Sequence, residues 1–181
     1  MGRDKLSLEV GGVPLVRRVH DVLASRCEEV VVAGEAPGMG DIRFVPDLRP
    51  GRGPLAGMEA GLKAARHPLV FVAAGDMPFV PGDLVGFLLE CVAAGASAAV
   101  PMHGGQPHTL CAAYDRRILS VVSSALDEGI GVVRTLLELL GEVEYVDEEL
   151  RRFGDPEFFL MNVNSPEDLD RARTALRGSL S

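Results

Sequence analysis

The sequence predicts a single α/β domain with a mainly parallel sheet and helices on both faces. Three observations carry that expectation. Short β-branched runs alternate along the chain with stretches of helical spacing, the order that builds strand–helix–strand units. Residues 69–74 form an uninterrupted apolar run of the kind a strand buried on both faces needs. No internal repeat, linker or low-complexity tract divides the 181 residues, a length that suits one domain with a sizeable core.

The elements follow in order. Residues 14–25 place Leu15, Val16, Val19, Val22 and Leu23 on one helical stripe, with Arg17, Arg18 and Asp21 off it. Residues 29–33 and 42–45 read as short strands, separated by a Gly/Pro-rich loop over 34–40. A second Gly/Pro-rich stretch, 47–57, leads into a helix over 55–65. After the apolar strand at 69–74, Pro81-Gly82-Asp83 opens a helix that runs to about Ala94. Strands at 96–101 and 109–114 flank the Gly104-Gly105 turn. Helices are expected over 116–126 and 132–140, and a strand over 142–146. Ser165 at N-cap, Pro166 at N1 and Asp168 at N3 mark the start of a last helix, which turns Leu169, Ala172 and Leu176 inward.

Composition narrows the function. Eighteen Lys and Arg against twenty-six Asp and Glu leave a net charge of −8. That balance argues against a nucleic-acid surface, which needs clustered cations. Small phosphorylated ligands stay open, because backbone amides and a few positive groups suffice for them. Cys27, Cys91 and Cys111 are widely spaced and odd in number. They suit reduced thiols in a cytoplasmic protein better than a disulfide framework or a zinc site. The longest apolar segment, around 88–100, is interrupted by Glu90 and Gly95 and is too short to span a membrane. His103 and His108 share a loop, where they are either substrate contacts or ordinary surface histidines.

Four segments can carry chemistry. Asp76 follows the apolar run at once, with no Lys or Arg within eight positions on either side. In open α/β sheets ligands bind beyond the carboxyl ends of strands, so Asp76 is either a holder of a hard divalent cation or a turn-forming cap. The glycines of Asp47-Leu-Arg-Pro-Gly-Arg-Gly-Pro-Leu-Ala-Gly57 let backbone amides approach an anion at a helix N-terminus, unless the stretch is a plain strand-to-helix connection. Asn162 and Asn164 flank Val163 and project to one side if the segment is extended; the alternative is a turn before the capped helix. The fourth is the opening Met1-Gly-Arg-Asp-Lys5.

In this order the segments resemble the molybdenum cofactor guanylyltransferases, the MobA family of nucleotidyltransferases. Gly53-Pro54-Leu55-Ala56-Gly57 matches that family's G-P-L-A-G. Gly75-Asp76-Met77-Pro78 matches its C-D-M-P, with Gly for Cys, and Asn162-Val163-Asn164-Ser165-Pro166 matches its N-V-N-T-P, with Ser for Thr. The resemblance covers residues 1 to about 176 and implies a Rossmann-like nucleotidyltransferase sheet. It implies Mg²⁺-dependent transfer of GMP from GTP to molybdopterin with release of pyrophosphate, so GTP and molybdopterin are the expected partners, with molybdenum-inserting and molybdoenzyme proteins beyond them. Lys5 and Asp76 become the catalytic residues and Asp76 the metal ligand. Lys5, Asp47, Gly53, Pro54, Leu55, Gly57 and Asp76 line the nucleotide side, and Asn162 and Asn164 the pterin side.

The chain departs from the family at its start. The signature L-A-G-G-x-S-x-R-M-G-x-D-K is represented only from Met1, so the domain of residues 1–181 is expected to lack its first strand and glycine loop. That strand would lie between 29–33 and 69–74, and its absence would leave two unpaired strand edges. Neighbouring readings are a molybdopterin cytidylyltransferase, a phospholactate guanylyltransferase, or a binding protein without turnover.

Overall fold

The computed structural model describes residues 9–34, 40 and 42–178. Strands β1 (Glu9–Val10) and β2 (Val13–Pro14) form a hairpin across Gly11 and Gly12. Helix α1 (Leu15–Ala24) follows and buries Leu15, Val16 and Val19. Strand β3 (Val32–Ala33) pairs in parallel with β4 (Phe44–Val45). Helix α2 (Pro54–Ala64), strand β5 (Leu69–Ala73), helix α3 (Gly82–Ala93) and strand β6 (Ala98–His103) come next. The two-residue β7 (Gln106–Pro107) pairs with the end of β6, and the chain returns as β8 (Cys111–Asp115). Helices α4 (Leu119–Asp127) and α5 (Val133–Leu136), strand β9 (Val143–Val146) and helices α6 (Pro156–Phe159) and α7 (Pro166–Gly178) complete it. No helix among the described residues is long and apolar enough to cross a membrane.

In the main sheet β8 lies between β5 and β6 and is antiparallel to both, while β9 pairs in parallel with the other side of Ala98–Pro101 in β6. Strands β5, β6 and β9 therefore share one direction, and β8 opposes them. The sheet is mixed where the sequence predicted a mainly parallel one. The reason is local: the Gly104-Gly105 turn sends the chain straight back after β6, and a hairpin return must be antiparallel.

Both faces are covered, as expected. Val70 and Val72 of β5, Ala112 and Tyr114 of β8, and Ala98 and Val100 of β6 pack with α2, α4 and α5. Leu69 and Phe71, Cys111 and Ala113, and Ala99 face α3 instead. Period-two alternation thus sorts each strand between two cores. A third cluster joins Val10, Leu15, Val163 and Ala172, so the N-terminal hairpin and α7 close the same end of the molecule.

Two strands differ from expectation in a connected way. The strand expected over 29–33 begins only at Val32, and every residue of β5 is half-buried rather than buried on both faces. Among the described residues β5 pairs with β8 alone, and β3 with β4 alone. Between them runs a cavity of about 520 Å³, walled by Val31, Val32 and Ala33 on one side and by Val70, Phe71 and Val72 on the other. Among the described residues nothing pairs along that edge, so residues 29–31 make no ladder and β5 is paired on one side. Glu29 spans the end of the gap: its carboxylate accepts from the Arg66 N–H at 3.0 Å, from Arg66 Nε at 2.9 Å and from Arg43. The Arg66 backbone bond, with the two guanidinium charges, holds that carboxyl below its usual range against the burial that opposes it.

The open edge has a measurable consequence. Backbone groups of an edge strand alternate between the paired side and the free side. Hydrogen exchange followed by NMR should find every second amide of Leu69–Ala73 protected through β8 and the intervening ones exchanging fast. Uniform protection along β5 would mean that the edge is covered.

Candidate active site

The chain leaves β5 through Ala74, whose N–H donates to the Leu110 carbonyl at 2.8 Å. It then turns at Gly75-Asp76, where the Met77 N–H closes on the Ala74 carbonyl at 3.2 Å. Met77 is buried, and Phe79 packs on Phe158 of α6 with ring centroids 4.3 Å apart. This fixes the half-buried Asp76 beyond the carboxyl end of a sheet strand. The Asp76 carbonyl in turn accepts the Val163 N–H at 2.8 Å.

That bond brings two of the sequence segments together. Val163 is fully buried beside Val10, Leu15 and Ala172, whereas Asn162 and Asn164 on either side of it are exposed. The segment is also the entrance to a capped helix. Asp168 Oδ2 accepts the Asn164 and Ser165 N–H groups at 3.1 and 3.0 Å, and Ser165 Oγ accepts the Asp168 N–H at 3.1 Å. The Asn164 backbone bond, followed by those from Ser165, keeps the Asp168 carboxyl below its usual range. The cap sets the backbone of the segment, the turn before a capped helix that was the alternative reading of the asparagines. Pro166 opens α7 as expected; the Leu176 side chain lies outside the described ones.

The glycine-rich loop leads into α2. Asp47 Oδ1 accepts the Arg49 N–H at 2.9 Å, a local turn. Gly51 and Gly53 take φ of 79° and 76°, where a side chain would be strained. Pro54 opens α2 with no side-chain cap on the helix end. The Leu55 side chain is fully buried in the core beneath, so what it offers a ligand is backbone. Pro54 and Gly57, at the start of α2, line the β3–β5 gap, as Gly75 does. Lys5 lies outside the described residues.

Two residues that the sequence reading passed over hold this loop. Glu59 is 0% exposed. Its Oε2 accepts Arg49 Nε at 3.0 Å, and its Oε1 accepts Lys63 Nζ at 2.9 Å and Ser123 Oγ at 2.7 Å. Burial works against the charge, but the bonds from Ser123, Lys63 and Arg49 outweigh it and hold the carboxyl below its usual value. Its signal in the sequence was an acid inside an otherwise apolar helix face. The second is Gly131, whose carbonyl faces the Leu55 N–H at 3.4 Å. A Cβ there would stand 2.6 Å from the Arg52 carbonyl oxygen. No sequence pattern announces that contact.

His108 is half-buried and donates its backbone N–H to the Pro101 carbonyl at 2.8 Å. Burial, with the nearby His103 charge, pulls its imidazole below the ordinary value. Among the described residues no three His, Cys, Asp or Glu side chains gather as a self-sufficient metal cage. A single carboxylate beyond a strand end, as at Asp76, is a different kind of site. It suits Mg²⁺, which is commonly held by one or two carboxylates with substrate phosphates and water completing the shell.

Left-handed glycines ahead of a helix N-terminus and a carboxylate beyond a strand end are features that can serve phosphate chemistry. The family model for MobA-like NTP transferase domains matches residues 1–145. The chain belongs to the MobA-like NTP transferases. It is 37% identical to a probable molybdenum cofactor guanylyltransferase of Pelotomaculum thermopropionicum, over 99% of this chain and 88% of that protein. It is 29% identical to a molybdenum cofactor guanylyltransferase of Desulfosudis oleivorans, over 97% and 89%. Among solved structures, molybdopterin-guanine dinucleotide biosynthesis protein A of Archaeoglobus fulgidus superposes with a TM-score of 0.82 at 28% identity, covering 98% of this chain and 92% of that one. A 2-C-methyl-D-erythritol 4-phosphate cytidylyltransferase of Thermus thermophilus (TM-score 0.74, 24% identity, 96% and 94% covered) shares the fold. The protein is thus an enzyme of the nucleotidyltransferase class, with the α/β fold the sequence predicted.

The loop contact can be tested without substrate. Gly131→Ala sets a new carbon against backbone that cannot swing away, so this MobA-like transferase should lose about 1–3 kcal/mol of stability in urea unfolding. Gly86→Ala, in helix α3 with nothing within 4 Å of the added carbon, should instead gain about 0.5–1 kcal/mol. An unaffected Gly131→Ala protein would show that the loop does not rest on that segment.

Proposed function

We propose that the protein transfers GMP from GTP to the terminal phosphate of molybdopterin. A bond forms between an acceptor phosphate oxygen and the α-phosphorus, the bond from that phosphorus to the bridging oxygen breaks, and pyrophosphate leaves with the electron pair. The observation that carries the reading is the bond that joins the Asp76 turn to the Asn162–Asn164 segment. The printed names of the relatives, guanylyltransferases of the molybdenum cofactor, supply the substrates.

Transfer of this kind depends on positioning and charge neutralisation rather than on covalent work by the protein. Asp76 would hold Mg²⁺ on the triphosphate. The ion, when bound, supplies charge neutralisation and polarises the α-phosphate. The amides of the loop at Gly53 and Gly57 and the positive end of α2 receive phosphate oxygens, and Pro54 and Leu55 give that end its shape. Lys5 adds a flexible cation, and Asp47 accepts hydrogen bonds from guanine or ribose. Asn162 and Asn164 meet the pterin, whose ring edge offers both donors and acceptors to amide side chains. Molybdenum-inserting and molybdoenzyme proteins are the partners this activity calls for, in the cytoplasm.

Two substitutions test the division of labour. Asp76→Asn keeps size and removes charge, so GMP transfer should fall by at least about a hundredfold while the melting temperature holds. Near-normal transfer would remove Asp76 from the metal role. Replacing both Asn162 and Asn164 by alanine should weaken molybdopterin binding and leave GTP binding nearly intact by titration calorimetry. An equal loss of GTP affinity would overturn the assignment of the two sides.

A further inference from the structure

We propose that Glu59 is a positioning residue for the nucleotide loop: acting through Arg49, it fixes the backbone between Asp47 and Gly53 in its ligand-receiving shape. The inference rests on the reading of that loop as the GTP side of the site.

The geometry has one direction of pull. Glu59 sits in the second turn of α2, fully enclosed, and reaches back to a loop ten residues upstream. Arg49 Nε and Nη2 stand 3.0 and 3.5 Å from the two Glu59 oxygens, while Nη1 donates to Asp127 Oδ1 at 2.6 Å at the end of α4. The same residue's N–H is the one that Asp47 Oδ1 accepts. Side chain and backbone of Arg49 are thus both committed, and Asp47 cannot move without disturbing the clamp. Beyond it the chain passes two left-handed glycines, Gly51 and Gly53, which have little conformational preference of their own. Something outside the loop has to choose its shape. Lys63 and Ser123 donate to the carboxylate from α2 and α4 and complete its hydrogen bonds.

Stability alone is a poor account of the arrangement. A buried ion pair replaced by well-packed apolar groups often leaves stability unchanged or raised. What an apolar residue at position 59 could not do is hold Arg49.

The test compares Glu59→Gln, Arg49→Ala, the double variant and Ser123→Ala, measuring GTP affinity with Mg²⁺ by calorimetry, melting temperature, and hydrogen exchange of the amides at 48–53 without ligand. Glu59→Gln and Arg49→Ala should each weaken GTP binding about tenfold or more, and the double variant should be no worse than the weaker single one. Both singles should speed exchange at 48–53. Ser123→Ala should lower the melting temperature and hold GTP affinity within about twofold. A Glu59→Gln protein that melts earlier yet binds GTP normally would reduce Glu59 to a stability element and overturn the proposal. Losses that multiply in the double variant would do so too, because the two residues would then act separately. If Glu59→Gln does not fold, Arg49→Ala decides alone, and unchanged exchange at 48–53 refutes the clamp. Failure of the GTP reading looks different: the unaltered protein would not bind GTP, while ligand-free exchange would still report on the clamp.

Discussion

One backbone hydrogen bond, from the Val163 N–H to the Asp76 carbonyl, organises the functional end of this molecule. Taken alone such a bond contributes about 0.5–1.5 kcal/mol. Its importance lies in what it joins. The Asp76 turn is rigid because Met77 and Phe79 are packed beneath it. The Val163 segment is rigid because its side chain is sealed against Val10 and Leu15, a burial worth about 1.5–3 kcal/mol, and because Ser165 and Asp168 cap the helix that follows. The Asp76 turn and the Asn162–Asn164 segment, far apart in the sequence, are thereby held side by side.

The glycine-rich loop is held by charge. Arg49 is anchored to the enclosed Glu59 and to Asp127, and Gly131 closes on the loop from the α4 side. Charged groups inside a domain are costly unless every one is paired, and here each Glu59 oxygen has a donor. Glu29 plays a similar part at the far end of the β3–β5 gap, tying Arg43 and Arg66 across it. Two ionic clamps and one backbone bond thus fix the segments that the proposed site draws on.

The sequence revealed the helices and strands that pack by simple periodicity. Residues 69–73, 98–101 and 111–114 lie in strands and 15–24 and 82–93 in helices close to where apolar spacing put them. It revealed the α7 entrance because Ser165, Pro166 and Asp168 are a local chemical statement. It misjudged β5 as buried on both faces because an apolar run reports hydrophobicity and not the neighbours that supply burial. It overlooked the β1–β2 hairpin and α6, which are too short for a period to show. Asp76, Asn162 and Asn164 were visible as residues, but their meeting was not, since the bond that joins them is backbone and leaves no trace in side-chain identity. Glu59 and Gly131 escaped for a related reason: one looks like any helical acid and the other like any loop glycine until their neighbours are known.

The account comes down to which nucleotide is used and where it goes. The most direct measurement incubates the protein with molybdopterin, Mg²⁺ and GTP labelled at the α-phosphate, then repeats this with CTP labelled in the same way. The account predicts label in the dinucleotide product from GTP, with one pyrophosphate released per transfer, and little or none from CTP. Transfer from CTP in preference to GTP, or GTP cleavage that leaves molybdopterin unlabelled, would contradict it.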